Sequence, residues 1–172
     1  MNFEEFFTGI ILPLIVIPNE FLVYSAVRGE EAILIVEVIV IAGEIITVFL
    51  GKMITKKRLR IQVNKGLILT PIMIALMTFF PPLSSPSYLF ILPAGIVGGV
   101  CEEIVYRGYM ISDNTSVFVQ GVLWGFLHIF DGIYFFLWTI LIGIILGFIA
   151  KKYGILPTMT IHVISNVLRI IL

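Results

Sequence analysis

Ile133-Tyr-Phe-Phe-Leu-Trp-Thr-Ile-Leu-Ile-Gly-Ile-Ile-Leu-Gly-Phe-Ile-Ala150 runs for eighteen residues without a charge and stops at Lys151-Lys152. A hydrocarbon core about 30 Å thick takes ~20 apolar residues of α-helix, so this run reads as a membrane span. The rest of the chain agrees. The hydrophobic class makes up 59% of the 172 residues and the charged class 13%, with a mean hydropathy of +1.11. A water-soluble domain carries roughly 25% charged side chains. Six more candidate spans follow by the same criterion: Thr8–Val27, Ala32–Leu50, Ile61–Phe80, Tyr88–Ile111, Thr115–Phe130 and Ile155–Leu172. The third has Asn64 and Lys65 in its first turns, which shortens its apolar stretch to about Leu67–Phe80, and the fifth is short. The expected fold class is all-α: a polytopic membrane helix bundle of about seven transmembrane helices, six to eight, forming one domain over residues 1–172.

Eleven Lys+Arg balance eleven Asp+Glu, so no net field favours nucleic acid, and the lipid bilayer is the expected partner. Cys101 is the sole cysteine and has no internal disulfide partner. Glu4 and Glu5 occupy the place where a signal peptide would be basic, so the apolar run after them is expected to stay as the first span. Lys52, Lys56, Lys57, Arg58, Arg60 and Lys65 lie between the second and third spans, and Lys151 and Lys152 between the sixth and seventh. Seven spans put both groups on one side. The positive-inside rule makes the basic loop 51–60 and the turn 151–152 cytoplasmic, with the amino terminus inside and Leu172 outside. Gly95/Gly99, Gly121/Gly125 and Gly143/Gly147 are each four apart; small residues at that spacing let helices approach closely, so spans four to six are expected to form a tight core. Pro81, Pro82 and Pro86 with Ser84 and Ser85 mark a turn.

Polar chemistry at membrane depth is the feature that composition does not explain. Cys101-Glu102-Glu103-Ile104-Val105-Tyr106-Arg107 puts three formal charges inside an apolar span, each costing about 2.5–3.5 kcal/mol on insertion scales. Glu103 and Arg107 are four apart on one helix face, in the favourable order for an ion pair. Glu102 lies about 100° round the helix and has no local cation. Both histidines of the chain also sit in apolar spans. His128 ends the fifth, in Trp124-Gly125-Phe126-Leu127-His128. His162 and Asn166 share one face of the seventh, four apart.

An ordered Glu-Glu-x-x-x-Arg, then an aromatic four before a His, then His-x-x-x-Asn, on separate spans, resembles the CPBP (CAAX protease and bacteriocin-processing) intramembrane proteases. This family is also called the abortive-infection family and includes the type II CAAX prenyl endopeptidases. The resemblance covers about residues 92–168, the expected protease-like core. It implies an intramembrane endopeptidase acting on a membrane-embedded or membrane-associated peptide, of CAAX or prenylated type or a peptide precursor. It implies that Glu102 activates water, that His128 positions or polarises that water, and that His162 and Asn166 donate to the oxyanion, with Glu103 and Arg107 in support. Trp124 stands where the family usually has Phe, a swap expected to keep an aromatic wall and nothing more. Amide hydrolysis needs these parts: a base within ~2.6–3.2 Å of the water and preorganised donors where negative charge develops.

The resemblance leaves the metal open. The zinc-protease pattern of two His four apart with an adjacent Glu is absent, yet Glu102, His128 and His162 could supply three ligands to a catalytic Zn²⁺. The expectation is metal-free glutamate chemistry, with no cofactor firmly implied. A depth problem accompanies it, because His128 falls near the end of its span while Glu102 lies well inside the fourth. Convergence requires the fourth span to begin late or kink near Pro93 or Gly98-Gly99, or the Asp131-Gly132 turn to sink into a polar cavity. Glu20, Glu37 and Glu44 are expected to bond within the bundle or approach a water-filled cleft. The rival classes are a small transporter using the same polar cavity and a non-catalytic membrane binding or immunity protein.

Overall fold

A computed structural model of the chain describes residues 1–80 and 89–172. The proline-serine turn expected over Pro81–Pro86 lies outside the described residues. Among the described residues there is no strand. Seven α-helices form: α1 (Phe3–Ala26), α2 (Glu30–Thr55), α3 (Thr70–Phe79), α4 (Leu92–Glu102), α5 (Asn114–Phe126), α6 (Ile133–Tyr153) and α7 (Ile155–Ile171). One turn of 3-10 helix leads into α4 at Leu89–Ile91, and α4 continues without a break as a π-helix over Glu103–Tyr109.

Four of these elements are long and apolar enough to cross a membrane: 3–26, 30–55, 89–109 and 133–153. The others are shorter, as expected for the third and fifth. Lys65–Phe79 and Ile155–Ile171 are shorter apolar helices, and α5 has 13 residues. At 1.5 Å per residue such helices cover only part of a ~30 Å core. Capping explains several boundaries. The Asn2 side chain accepts from Glu5 N–H while Glu5 reaches back to Asn2 N–H, so Glu4 and Glu5 lie in the first turn of α1. Asp113 caps α5 in the same reciprocal way with Ser116. The second helix runs to Thr55, which places Gly51 and Lys52 in its last turn rather than in a loop.

Polarity runs from an apolar outside to a polar inside. Phe49, Ile68, Ile72 and Phe79 are about 70% exposed, a surface that suits lipid and not water. Glu44, Glu102, Glu103, Arg107, Gln120 and His162 are buried. An apolar core of Leu12, Val16, Tyr106, Met110, Leu146 and Ile161 joins the helices.

The glycine pairs serve two different contacts. On α5 and α6 the backbones meet directly: a Cβ on Gly143 would stand 3.0 Å from Gly121 Cα. On α4 the pair faces α7 instead, since a Cβ on Gly99 would stand 3.0 Å from Val163 Cα, and one on Gly95 3.5 Å from Asn166 Cβ. The tight core expected among spans four to six is therefore two seams, and the second draws α7 against α4.

The chain runs up and down, which sorts its connections into two ends. At one end Lys57 pairs with Glu5 at 2.7 Å, Arg60 C=O accepts from Ile155 N–H at 3.0 Å, and Asn64 Nδ2 donates to Tyr153 C=O at 2.6 Å. The basic loop and the Lys151-Lys152 turn thus stand side by side. The opposite end holds the α1–α2 connection, the turn Ile129–Asp131 and the carboxyl end of α7.

Candidate active site

Glu102 is the last residue of α4 and Glu103 the first of the π-helix. In that wider turn Met110 N–H bonds to Val105 C=O, five residues back, at 3.2 Å; such insertions recur at functional sites. The two acids serve different neighbours. Glu102 lines a cavity of about 920 Å³ between the helices. Glu103, fully buried, lies 3.4 Å from Arg107 Nη1 and 3.1 Å from His162 Nδ1. The ion pair expected from the sequence forms, and it includes a histidine that spacing within one helix could not reveal.

His128, His162 and Asn166 line the same cavity as Glu102. Nε2 of His162 stands 3.9 Å from Glu102 Oε2. His128 Nδ1 lies 3.0 Å from Asp131 Oδ2, and its Nε2 is buried without a protein partner. Each histidine is therefore held at Nδ1 by a carboxylate, Glu103 or Asp131, while Nε2 is left for the cavity. A partner of this kind fixes ring orientation and tautomer. Asn166 Nδ2 donates to Gly95 C=O at 2.9 Å, a bond that also ties α7 to α4. One amide N–H of Asn166 remains for a ligand, since a carboxamide carries two.

Trp124 has a larger part than an aromatic wall. Its Nε1–H donates to Glu102 Oε2, its face carries the Arg107 guanidinium at 4.3 Å, and its ring meets His162 edge-on at 5.3 Å and His128 at 5.6 Å. Phe could offer the ring and the cation–π face, but no hydrogen bond. Glu44 is the other residue that sequence reading undervalued. A Cβ on Gly98 would stand 2.9 Å from Glu44 Oε1 and 3.6 Å from Glu102 Oε1, so the bare glycine leaves room for two carboxyls side by side. Glu20 and Glu37 line the same cavity farther out, in keeping with the cleft expected for all three. The one signal for Glu44 was its seven-residue spacing from Glu37, which puts both on one helix face.

The depth problem is solved by the helix ends. The fourth helix is regular α only from Leu92, with Pro93 in its first turn, and Asp131 and Gly132 line the cavity. The irregularity falls after Glu102, in the π-helix, and not at Pro93 or Gly98-Gly99.

Zinc fits this arrangement poorly. A catalytic zinc needs three protein ligands at about 2.0–2.2 Å. Among the described residues no three His, Cys, Asp or Glu stand together closely enough to hold a metal ion, and the expected set of Glu102, His128 and His162 is no exception.

Residues 84–168 match the family model described as Type II CAAX prenyl endopeptidase Rce1-like. The matched stretch contains Glu102, Glu103, Arg107, His128, His162 and Asn166. The match is to the same family that the three motifs resemble. No curated protein and no solved structure matches the chain.

Proposed function

We propose, from the premise that residues 84–168 form an Rce1-like domain, that this chain is an intramembrane endopeptidase in which Glu102 activates water against a peptide bond. The observation that carries the reading is the pairing of Glu102 with His162 Nε2 at 3.9 Å in a cavity to which both histidines offer Nε2. The substrate is a membrane-associated peptide, with CAAX-type or prenylated chains in its class.

Water held between Glu102 and His128 loses a proton to Glu102 as its oxygen adds to the carbonyl carbon. Asn166, through its second amide N–H, and His162, through Nε2, donate to the oxyanion. His162 can do so only in its doubly protonated form, because Glu103 already engages Nδ1. The tetrahedral intermediate collapses, the C–N bond breaks, and the proton on Glu102 passes to the leaving amine. Trp124 holds the Glu102 carboxyl in place, which keeps the base aimed before substrate arrives. No step runs through a metal. We also assign the end bearing Lys56–Arg60 and Lys151-Lys152 to the cytoplasm, by the positive-inside rule.

The test uses purified protein with prenylated and unprenylated CAAX peptides. Glu102→Gln is nearly isosteric and not basic; a protease loses cleavage and keeps peptide binding. A binding protein shows no cleavage in the wild type, and a transporter changes flux instead. Activity should survive exhaustive chelation. Loss on chelation, with recovery on adding Zn²⁺, would make Glu102 and His162 ligands and the general-base role wrong.

A further inference from the structure

The cavity and the basic residues occupy opposite halves of the molecule. Lys52, Lys56, Lys57, Arg58, Arg60, Lys65, Lys151 and Lys152 gather at one end, against Arg28 and Arg169 toward the other. Starting from Glu102, the cavity continues only away from the basic end. Its outer rim is formed by Glu20, Tyr24, Ile91, Asp131 and Tyr134, and no lining residue falls within 45–76, 103–123 or 143–161. Toward the basic end it is closed by packed side chains: Val105, Tyr106, Met110, Leu146 and Ile161 are all 0% exposed. Glu103 and Arg107 lie in the same layer, with side chains also 0% exposed. A second hollow of about 350 Å³ lies beyond that layer, among Lys57, Arg58, Arg60 and Lys151, and shares no lining residue with the first.

Basic residues close to the ends of spans are retained on the cytoplasmic side, whereas acidic ones have little influence on orientation. Eight of the eleven lysines and arginines at one end is a strong bias, and both the α2–α3 connection and the last turn of α6 contribute to it.

We infer that the cavity opens to the non-cytoplasmic face of the membrane, so that a membrane-associated peptide reaches Glu102 from that side. The identity of the occupant as substrate rests on the hydrolase reading; the direction of access does not. A peptide would enter past the 129–132 turn and the Tyr134 rim, with its apolar part against Ile91, Phe130 and Phe135. Its scissile carbonyl would reach Glu102 at the inner end of α4.

Single cysteines in a Cys101→Ser background read the direction. Tyr134 and Ile133 are 83% and 62% exposed at the rim, and Arg58 is exposed at the basic end. With a charged, membrane-impermeant thiol reagent, Tyr134→Cys and Ile133→Cys should label in sealed right-side-out membrane vesicles, and Arg58→Cys only in inverted vesicles. A bulky label at Tyr134→Cys should slow peptide cleavage, and peptide added outside right-side-out vesicles should be cleaved. Rim cysteines that label only after inversion, or that label from the same side as Arg58→Cys, overturn the inference. Two rim positions keep the test decisive if one variant fails to fold. Correct labelling with no cleavage of any peptide by purified protein would overturn the hydrolase reading and leave the opening established.

Discussion

The two ends of the bundle use charge in different ways. At the basic end, long flexible side chains reach toward water and toward backbone: Lys151 Nζ donates to Asn114 Oδ1 at 2.6 Å, Arg60 Nη1 to Lys151 C=O at 3.2 Å, and Lys57 Nζ to Ile111 C=O at 3.2 Å. Such contacts in high dielectric are worth about 0–1 kcal/mol each. In the cavity half, short side chains on packed helices meet one another out of water. Removing one partner there strands another in low dielectric, at a cost several times larger. The same residue types thus sit in water at one end and in a packed, polar interior at the other.

Substitutions that keep shape while deleting one function sharpen the contrast. Glu102→Gln should have the largest effect, a loss of cleavage on the order of 10²–10⁴-fold in kcat with little change in folded yield, since it removes the base and keeps the volume. Arg107→Ala should destabilise by about 3–5 kcal/mol, because it leaves Glu103 buried without its cation; thermal unfolding in detergent measures it. Intact folding with abolished activity would instead move Arg107 into the chemistry. His162→Ala should cost about 10²–10³ in kcat, the usual loss for one oxyanion donor. Asn166→Ala should behave alike and also loosen the α4–α7 seam, so the two variants differ in unfolding temperature.

Trp124→Phe keeps the ring that carries Arg107 and removes only the hydrogen bond to Glu102. One hydrogen bond to a charged group is worth about 1.5–3 kcal/mol, so kcat should fall on the order of tenfold or more while KM holds. Wild-type kcat in Trp124→Phe would mean that the indole N–H does not position Glu102. At the basic end the contrast predicts almost nothing. Arg58→Ala should change stability by less than about 0.5 kcal/mol and leave kcat alone. A large effect there would break the division between the two ends.

Much of this protein was legible in the chain itself. Apolar runs of 18 residues and more set the long helices, because crossing hydrocarbon is a requirement on composition and length alone. Glu102, Glu103, Arg107, His128, His162 and Asn166 stood out because ionisable and strongly polar groups are costly at membrane depth. The Glu103–Arg107 pair followed from helical spacing, and the basic asymmetry from counting. Short-range order along the chain carries each of these.

What tertiary structure decided depends on contacts that no local period encodes. The glycines of α4 meet α7 and not a sequence neighbour, and this choice of seam brings His162 to Glu103 across 59 residues. The insertion that ends α4 at Glu102 shifts register without a proline to announce it. Glu44 reached Glu102 only because Gly98 carries no side chain between them. Trp124 became a hydrogen-bond donor to Glu102 because α5 turned its indole inward. Asp131 came to hold His128 because the turn after α5 folded into the cavity. The face on which the cavity opens belongs to this class as well. Charge counting tells the two ends apart, but only the packed layer of Tyr106, Met110 and Leu146 closes one side of Glu102 and leaves the other side open.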